Sequence, residues 1–293
     1  GNVLITDVNG GINVQISTGA ARAQILETGN TGDMIVDFSH SLLPGIGNNS
    51  SFHGGTPATR DEFFGGTGVN TLIFDPVINN NTNGEGVASN LKNLILQNDT
   101  PFPLNVWGPG QGANAGSPIN PLFSVGLAQL GNNVAKPIDV YIGGIGNTAN
   151  LAFPINATGL AIADATFTGA VNNERFFIDT FSTGQINGDV FSFDFGGTSN
   201  NTLNLILQNI VGNGTPHSLT VRDFAVGNAA GNNAVVNNPV SRLNFTATAN
   251  TITGAATTLT IDTMQRLTTL FLIGTANMVV NDTATQAKII NHI

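Results

Sequence analysis

The 293-residue chain contains no cysteine, which removes disulfides, thiolate nucleophiles and cysteine-based zinc or iron–sulfur sites together. Charge is scarce too: 9% of residues are Asp, Glu, Lys or Arg, against about 25% in an ordinary soluble domain. The few Lys and Arg form no cluster, so the electrostatic footprint of a nucleic-acid or anionic-membrane partner is missing. No apolar run approaches the ~20 residues of a membrane-spanning helix. Tryptophan and tyrosine occur once each, too few to line a sugar-binding groove, and the 18 Phe read as core. Catalytic signatures are equally sparse. The Gly-x-Ser-x-Gly nucleophile elbow and the phosphate-cradling Gly-x-x-x-x-Gly-Lys-Ser/Thr loop do not occur. His40 and His53 share a loop with Asp61 and Glu62, without the His-x-x-x-His spacing of a helical zinc site. The chain reads as a protein that is not an enzyme.

What remains is apolar and neutral-polar. Hydrophobic residues make up 41% of the chain, which is incompatible with disorder. Asn, Thr, Ser and 36 Gly carry most of the polar share; they suit turns and exposed strand faces rather than helix surfaces. The fold expected is all-β with little helix, built either as a β-solenoid-like stack or as an irregular β-sandwich. The absence of cysteine together with low charge is a composition common in exported bacterial surface proteins, so an extracellular, cell-surface location is expected. A start at Gly1 without Met reads as a mature form or a piece of a longer protein.

The chain is organised around an element that occurs twice. Phe195-Gly196-Gly197-Thr198-Ser199-Asn200-Asn201-Thr202-Leu203 runs on into Leu205-Ile206-Leu207-Gln208-Asn209. Its earlier copy is split between Phe64-Gly65-Gly66-Thr67-Gly68-Val69-Asn70-Thr71-Leu72 and Leu94-Ile95-Leu96-Gln97-Asn98. Two later landmarks repeat in the same order: Thr100-Pro101 with Thr215-Pro216, and Ile145-Gly146-Asn147-Thr148-Ala149-Asn150 with Ile273-Gly274-Thr275-Ala276-Asn277. This order predicts two diverged tandem β modules, 33–168 and 169–293. Residues 1–32 precede them as a β meander or the end of a preceding unit, with Asn9-Gly10 as a hairpin signal.

Alternating apolar and polar residues mark strands at Leu203–Leu207, Leu219–Val221, Leu243–Thr246 and Leu259–Ile261, followed by further strand runs at Leu270–Ile273, Met278–Val280 and Lys288–Ile290. Helix is expected only as short turns at 122–130, after Asn120-Pro121, and at 263–270, after Asp262. Loops 39–62 and 107–120 fall outside the regular pattern and are candidates for partner contacts.

Oxygen-rich sites suit Ca²⁺, a hard cation, and the 18 acidic residues against 9 basic ones leave carboxylates to supply them. The calcium candidates are Asp7, Asp33, Asp37, Asp179, Asp189 and Asp194, placed in or at the ends of strand-like runs. Asp33 and Asp37 lie four apart and would share a strand face, whereas Asp189 and Asp194 lie five apart and would face opposite ways unless a bulge intervenes.

The rhythm of Val240-Ser241-Arg242-Leu243-Asn244-Phe245-Thr246, Thr258-Leu259-Thr260-Ile261 and Leu267-Thr268-Thr269-Leu270-Phe271-Leu272-Ile273-Gly274-Thr275-Ala276-Asn277-Met278-Val279-Val280 resembles Gram-negative surface-layer proteins and RTX-type exported adhesins. That resemblance implies a β-rich subunit, exported without disulfides, which assembles with copies of itself with the help of calcium. The function expected is therefore structural: a self-assembling extracellular protein forming a surface layer or filament. The alternative is a β-solenoid adhesin or module that binds or degrades surface polysaccharide.

Overall fold

The computed structural model describes residues 3–6, 8, 10–16, 22–38, 52, 54, 56–74, 86–96, 123–126, 137–142, 165–170, 172–179, 187–195, 201–211, 217–223, 240–250, 257–262, 264 and 266–282. Strands dominate them, and none of the described residues is helical. The strands are β1 (Val3–Thr6), β2 (Ile12–Gln15), β3 (Ala23–Leu26), β4 (Met34–Asp37), β5 (Glu62–Phe64), β6 (Asn70–Phe74) and β7 (Val87–Ser89). Then come β8 (Asn93–Leu96), β9 (Phe123–Gly126), β10 (Asp139–Ile142), β11 (Ala165–Ala170), β12 (Arg175–Asp179) and β13 (Asn187–Phe195). The series ends with β14 (Asn201–Val211), β15 (His217–Asp223), β16 (Val240–Asn250), β17 (Thr257–Asp262), β18 (Thr269–Ile273) and β19 (Met278–Asp282).

One rule generates the sheets: each strand pairs in parallel with the strand two places further along the chain, except that β7 and β9 are not paired. The even-numbered strands form a single nine-stranded sheet from β2 to β18, and the odd-numbered strands form a four-stranded sheet, β1 to β7, and a six-stranded sheet, β9 to β19. None closes into a barrel. Because consecutive strands lie in different sheets, the chain returns to each sheet always running the same way, which is what parallel pairing requires.

Alternation along the strands then separates an inner from an outer face. In the nine-stranded sheet the register places Val36, Leu72, Leu94, Val140, Phe176, Leu205, Phe245 and Leu272 in one inner row. All are buried, and they join residues of the odd-numbered sheets, such as Ile25, Phe63, Leu219 and Leu259, in one apolar core. Aromatic contacts tighten it: Phe38 meets Phe52 edge-on at 4.8 Å, and Phe176 meets Phe193 at 4.9 Å.

The first copy of the Phe-Gly-Gly-Thr element is the corner between β5 and β6; residues 196–200 of the second lie outside the described residues. The first copy leaves β5 at Phe64 and enters β6 at Asn70; the second leaves β13 at Phe195 and enters β14 at Asn201. Asn70 is buried and donates to the carbonyls of Gly66 (2.9 Å) and Asn90 (2.8 Å), while Asn90 donates to Gly65 O (2.9 Å), tying successive corners together. Thr67 N donates to Asn30 O at 2.8 Å, and a Cβ on Gly66 would collide with that same carbonyl.

Several expectations change. Asn9-Gly10-Gly11 does not close a hairpin: β1 pairs with β3 and β2 with β4. The segment expected to turn helically after Pro121 contains strand β9, whose partner β11 imposes an extended backbone. Residues 269–273 are likewise strand β18, preceded by a single turn in which Leu267 N donates to Met264 O. The strand signal at 288–290 and the loop 107–120 lie outside the described residues.

Candidate functional site

The outer face of the nine-stranded sheet carries the most organised polar chemistry. Register aligns Asn93, Asp139, Arg175, Asn204 and Asn244 on neighbouring strands β8 to β16. Arg175 grips Asp139 with two bonds, Nε to Oδ1 at 2.7 Å and Nη2 to Oδ2 at 2.5 Å, and Lys92 Nζ lies 3.9 Å from the same carboxylate. The bond to Asp139 holds the Arg175 guanidinium above its usual pKa. The row continues by amide stacking: Asn244 Nδ2 donates to Asn204 Oδ1 at 2.7 Å, and Arg242 Nε donates to Asn244 Oδ1 at 3.0 Å. Arg242 in turn sits 4.2 Å above the Phe271 ring.

A second, less polar row runs beside it. Ile73, Ile95, Tyr141, Phe177 and Ile206 follow one another in register. Tyr141 and Phe177 stack nearly parallel at 4.7 Å, with Arg175 5.5 Å from the Phe177 centroid. Burial pushes the Tyr141 hydroxyl pKa upward, Asp139 adds to the rise and Arg175 opposes it. Each ring turns one face to the other and Asp139 is held by cations, so this row is suited to bracing strands and offers no free carboxylate for proton transfer.

A second charged cluster lies on the four-stranded sheet. Glu62 bonds Arg22 at 3.0 Å, Arg60 at 3.1 Å and Gln24 at 2.7 Å. Asp61 accepts from Ala23 N at 2.7 Å. Asp61 and Glu62, neighbours of His53 in sequence, thus serve strand pairing; His40 and His53 lie outside the described residues.

The two ends of the strand series form a third feature. Among the described residues five large hydrophobics are exposed, and four sit there: Leu4 and Val8 at the start, Ile273 and Val279 at the finish. Among the described residues β1 pairs only with β3, and β19 only with β17.

The aspartates read as calcium candidates are dispersed. Asp33 is exposed and accepts from Val69 N at 2.8 Å; Asp37 is buried and accepts from Gln15 Nε2 at 3.4 Å. Asp33 immediately precedes β4 and Asp37 ends it, and four residues of extended chain span ~13 Å. Asp179 belongs to β12 in the nine-stranded sheet; Asp189 and Asp194 belong to β13 in the six-stranded sheet. Asp7 lies outside the described residues. Among the described residues no three His, Cys, Asp or Glu gather as a metal site.

Asp139, Tyr141, Arg175 and Phe177 escaped the sequence reading, although a signal exists. Asp139-Val140-Tyr141-Ile142 and Arg175-Phe176-Phe177-Ile178 are both charged-apolar-aromatic-apolar runs, and opposite charges at equal places are what paired strands favour. No helix of the described residues is long and apolar enough to cross a membrane. No family model, curated protein or solved structure matches the chain.

Proposed function

We propose that the chain is a structural protein: a β-solenoid wound from two-strand coils, exported to the cell surface, where it assembles with copies of itself into a layer or filament. The observation that carries this reading is the uninterrupted parallel nine-stranded sheet, whose first and last strands each have one partner among the described residues. Stacked coils contact only their neighbours, and such a stack exposes an unfinished edge at each end unless something covers it. Natural edges are blunted by Lys or Pro; neither residue occurs in β1, β2, β18 or β19. The organised outer rows fit the same role, because their ion pair, amide contacts and ring stack connect strand to strand. The polysaccharide reading draws less support, since Tyr141 and Phe177 spend ring faces on each other.

Electron microscopy of the purified chain tests the proposal, first with millimolar Ca²⁺ and then with a chelator. Ordered sheets or fibres support self-assembly. Order that dissolves on chelation keeps calcium in the account. Order that persists removes it. A monodisperse monomer in both conditions overturns the structural reading and turns attention to glycan binding.

A further inference from the structure

We infer that copies join head to tail, with β19 of one chain pairing in parallel with β1 of the next; this deepens the self-assembly reading and rests on it. Both are the outermost described strands of the odd-numbered sheets, run in the direction of all their neighbours and have one partner among the described residues. Their sequences match position by position. Met278 and Val280 point inward and pack against the core while remaining partly exposed, and so do Val3 and Ile5 at the other end. Val279 between the first pair is 45% exposed, and Leu4 between the second is 62% exposed.

Laying Met278-Val279-Val280-Asn281 beside Val3-Leu4-Ile5-Thr6 therefore continues the inner apolar row through two side chains and sets Val279 against Leu4 outside. That is the register in which β17 already carries β19, with Thr257 opposite Met278 and Leu259 opposite Val280. None of these eight residues is charged, so nothing repels the second strand. Added strands gain main-chain hydrogen bonds as well as side-chain contacts.

The two ends are different surfaces. Such a contact is heterologous, and without a closing rotation it yields an open filament rather than a dimer. The joint is carried by the odd-numbered strands: β18 precedes β19 and β2 follows β1, so the even-numbered sheet has room for one more strand beside it.

Charge placed at the exposed centre of either edge tests the joint. Leu4→Lys and Val279→Glu are expected each to raise the concentration for half-assembly at least about tenfold, equivalent to ~1.4 kcal/mol, measured by sedimentation and electron microscopy. Val69→Lys, an exposed turn residue within the series, is expected to assemble like the unmodified chain. The double variant Leu4→Lys with Val279→Glu brings opposite charges together at every joint and is expected to recover assembly, which a folding defect would not do. If the unmodified chain assembles and both single variants assemble equally well, this joint is wrong while self-assembly stands. If the unmodified chain never assembles, both fail.

Discussion

Replacing Leu205 by alanine removes three carbons from a side chain that is 0% exposed. It sits in β14 with Phe176 on one side of its row and Phe245 on the other. Leu→Ala at buried sites costs about 2–5 kcal/mol, and more where the surroundings cannot collapse into the space. Two flanking phenyl rings anchored on paired strands limit that collapse, so about 3 kcal/mol is expected here. Leu272 is the comparison. It is 8% exposed and lies on β18, the last strand of the sheet, with Phe245 on one side only; its alanine variant should cost about 2 kcal/mol.

In a stack where strands contact only their neighbours, the loss is local. Amide hydrogen exchange reads it directly: for Leu205→Ala, exchange should quicken about 100-fold in β12, β14 and β16, following tenfold per ~1.4 kcal/mol. Strands β2 and β4 should change little. Uniform acceleration from β2 to β18 would refute the nearest-neighbour reasoning, because it would mean that the series opens as one cooperative unit.

Tyr141 is the only tyrosine, so phenolate absorbance titrates it alone, and its midpoint should lie above the ordinary value of about 10. A group that holds its proton more tightly when folded makes the fold less stable as pH rises from about 10 through the raised value; Tyr141→Phe should remove that fall. Asp139→Asn should lower the midpoint and Arg175→Ala should raise it, since the two groups act in opposite directions. The Asp139–Arg175 pair should show a coupling of about 1 kcal/mol in a double-mutant cycle read by urea unfolding, modest because the Arg175 side chain is 46% exposed. Strict additivity would mean that the two bonds contribute nothing. Gly274→Ala should lower the melting temperature, because φ is +123° and its Cβ would meet the Ala247 carbonyl; an unchanged value would contradict that geometry.

The strands were legible wherever one face is buried. Leu203-Asn204-Leu205-Ile206-Leu207 alternates because Leu203, Leu205 and Leu207 point inward while Asn204 and Ile206 do not. Their partners were not legible. A period of two fixes which face is buried but carries no information on which strand lies alongside, so Asn9-Gly10 signalled a hairpin between strands that occupy different sheets. The same limit governs the site residues. Alternation predicts a common face for Asp33 and Asp37, and a common face alone does not bring two residues within reach of one ion. Asp139 and Arg175, 36 residues apart, meet only because β10 pairs with β12. The Asn-Pro signal at 120–121 suggested a helical turn, and pairing with β11 overrode it.

Fibre diffraction from oriented assemblies of the full chain tests the central claim most directly. If coils stack along the filament and copies continue that stack end to end, the inter-strand spacing of ~4.8 Å appears on the meridian, parallel to the filament axis. The same reflection on the equator, or a chain that forms no ordered assembly, would contradict it.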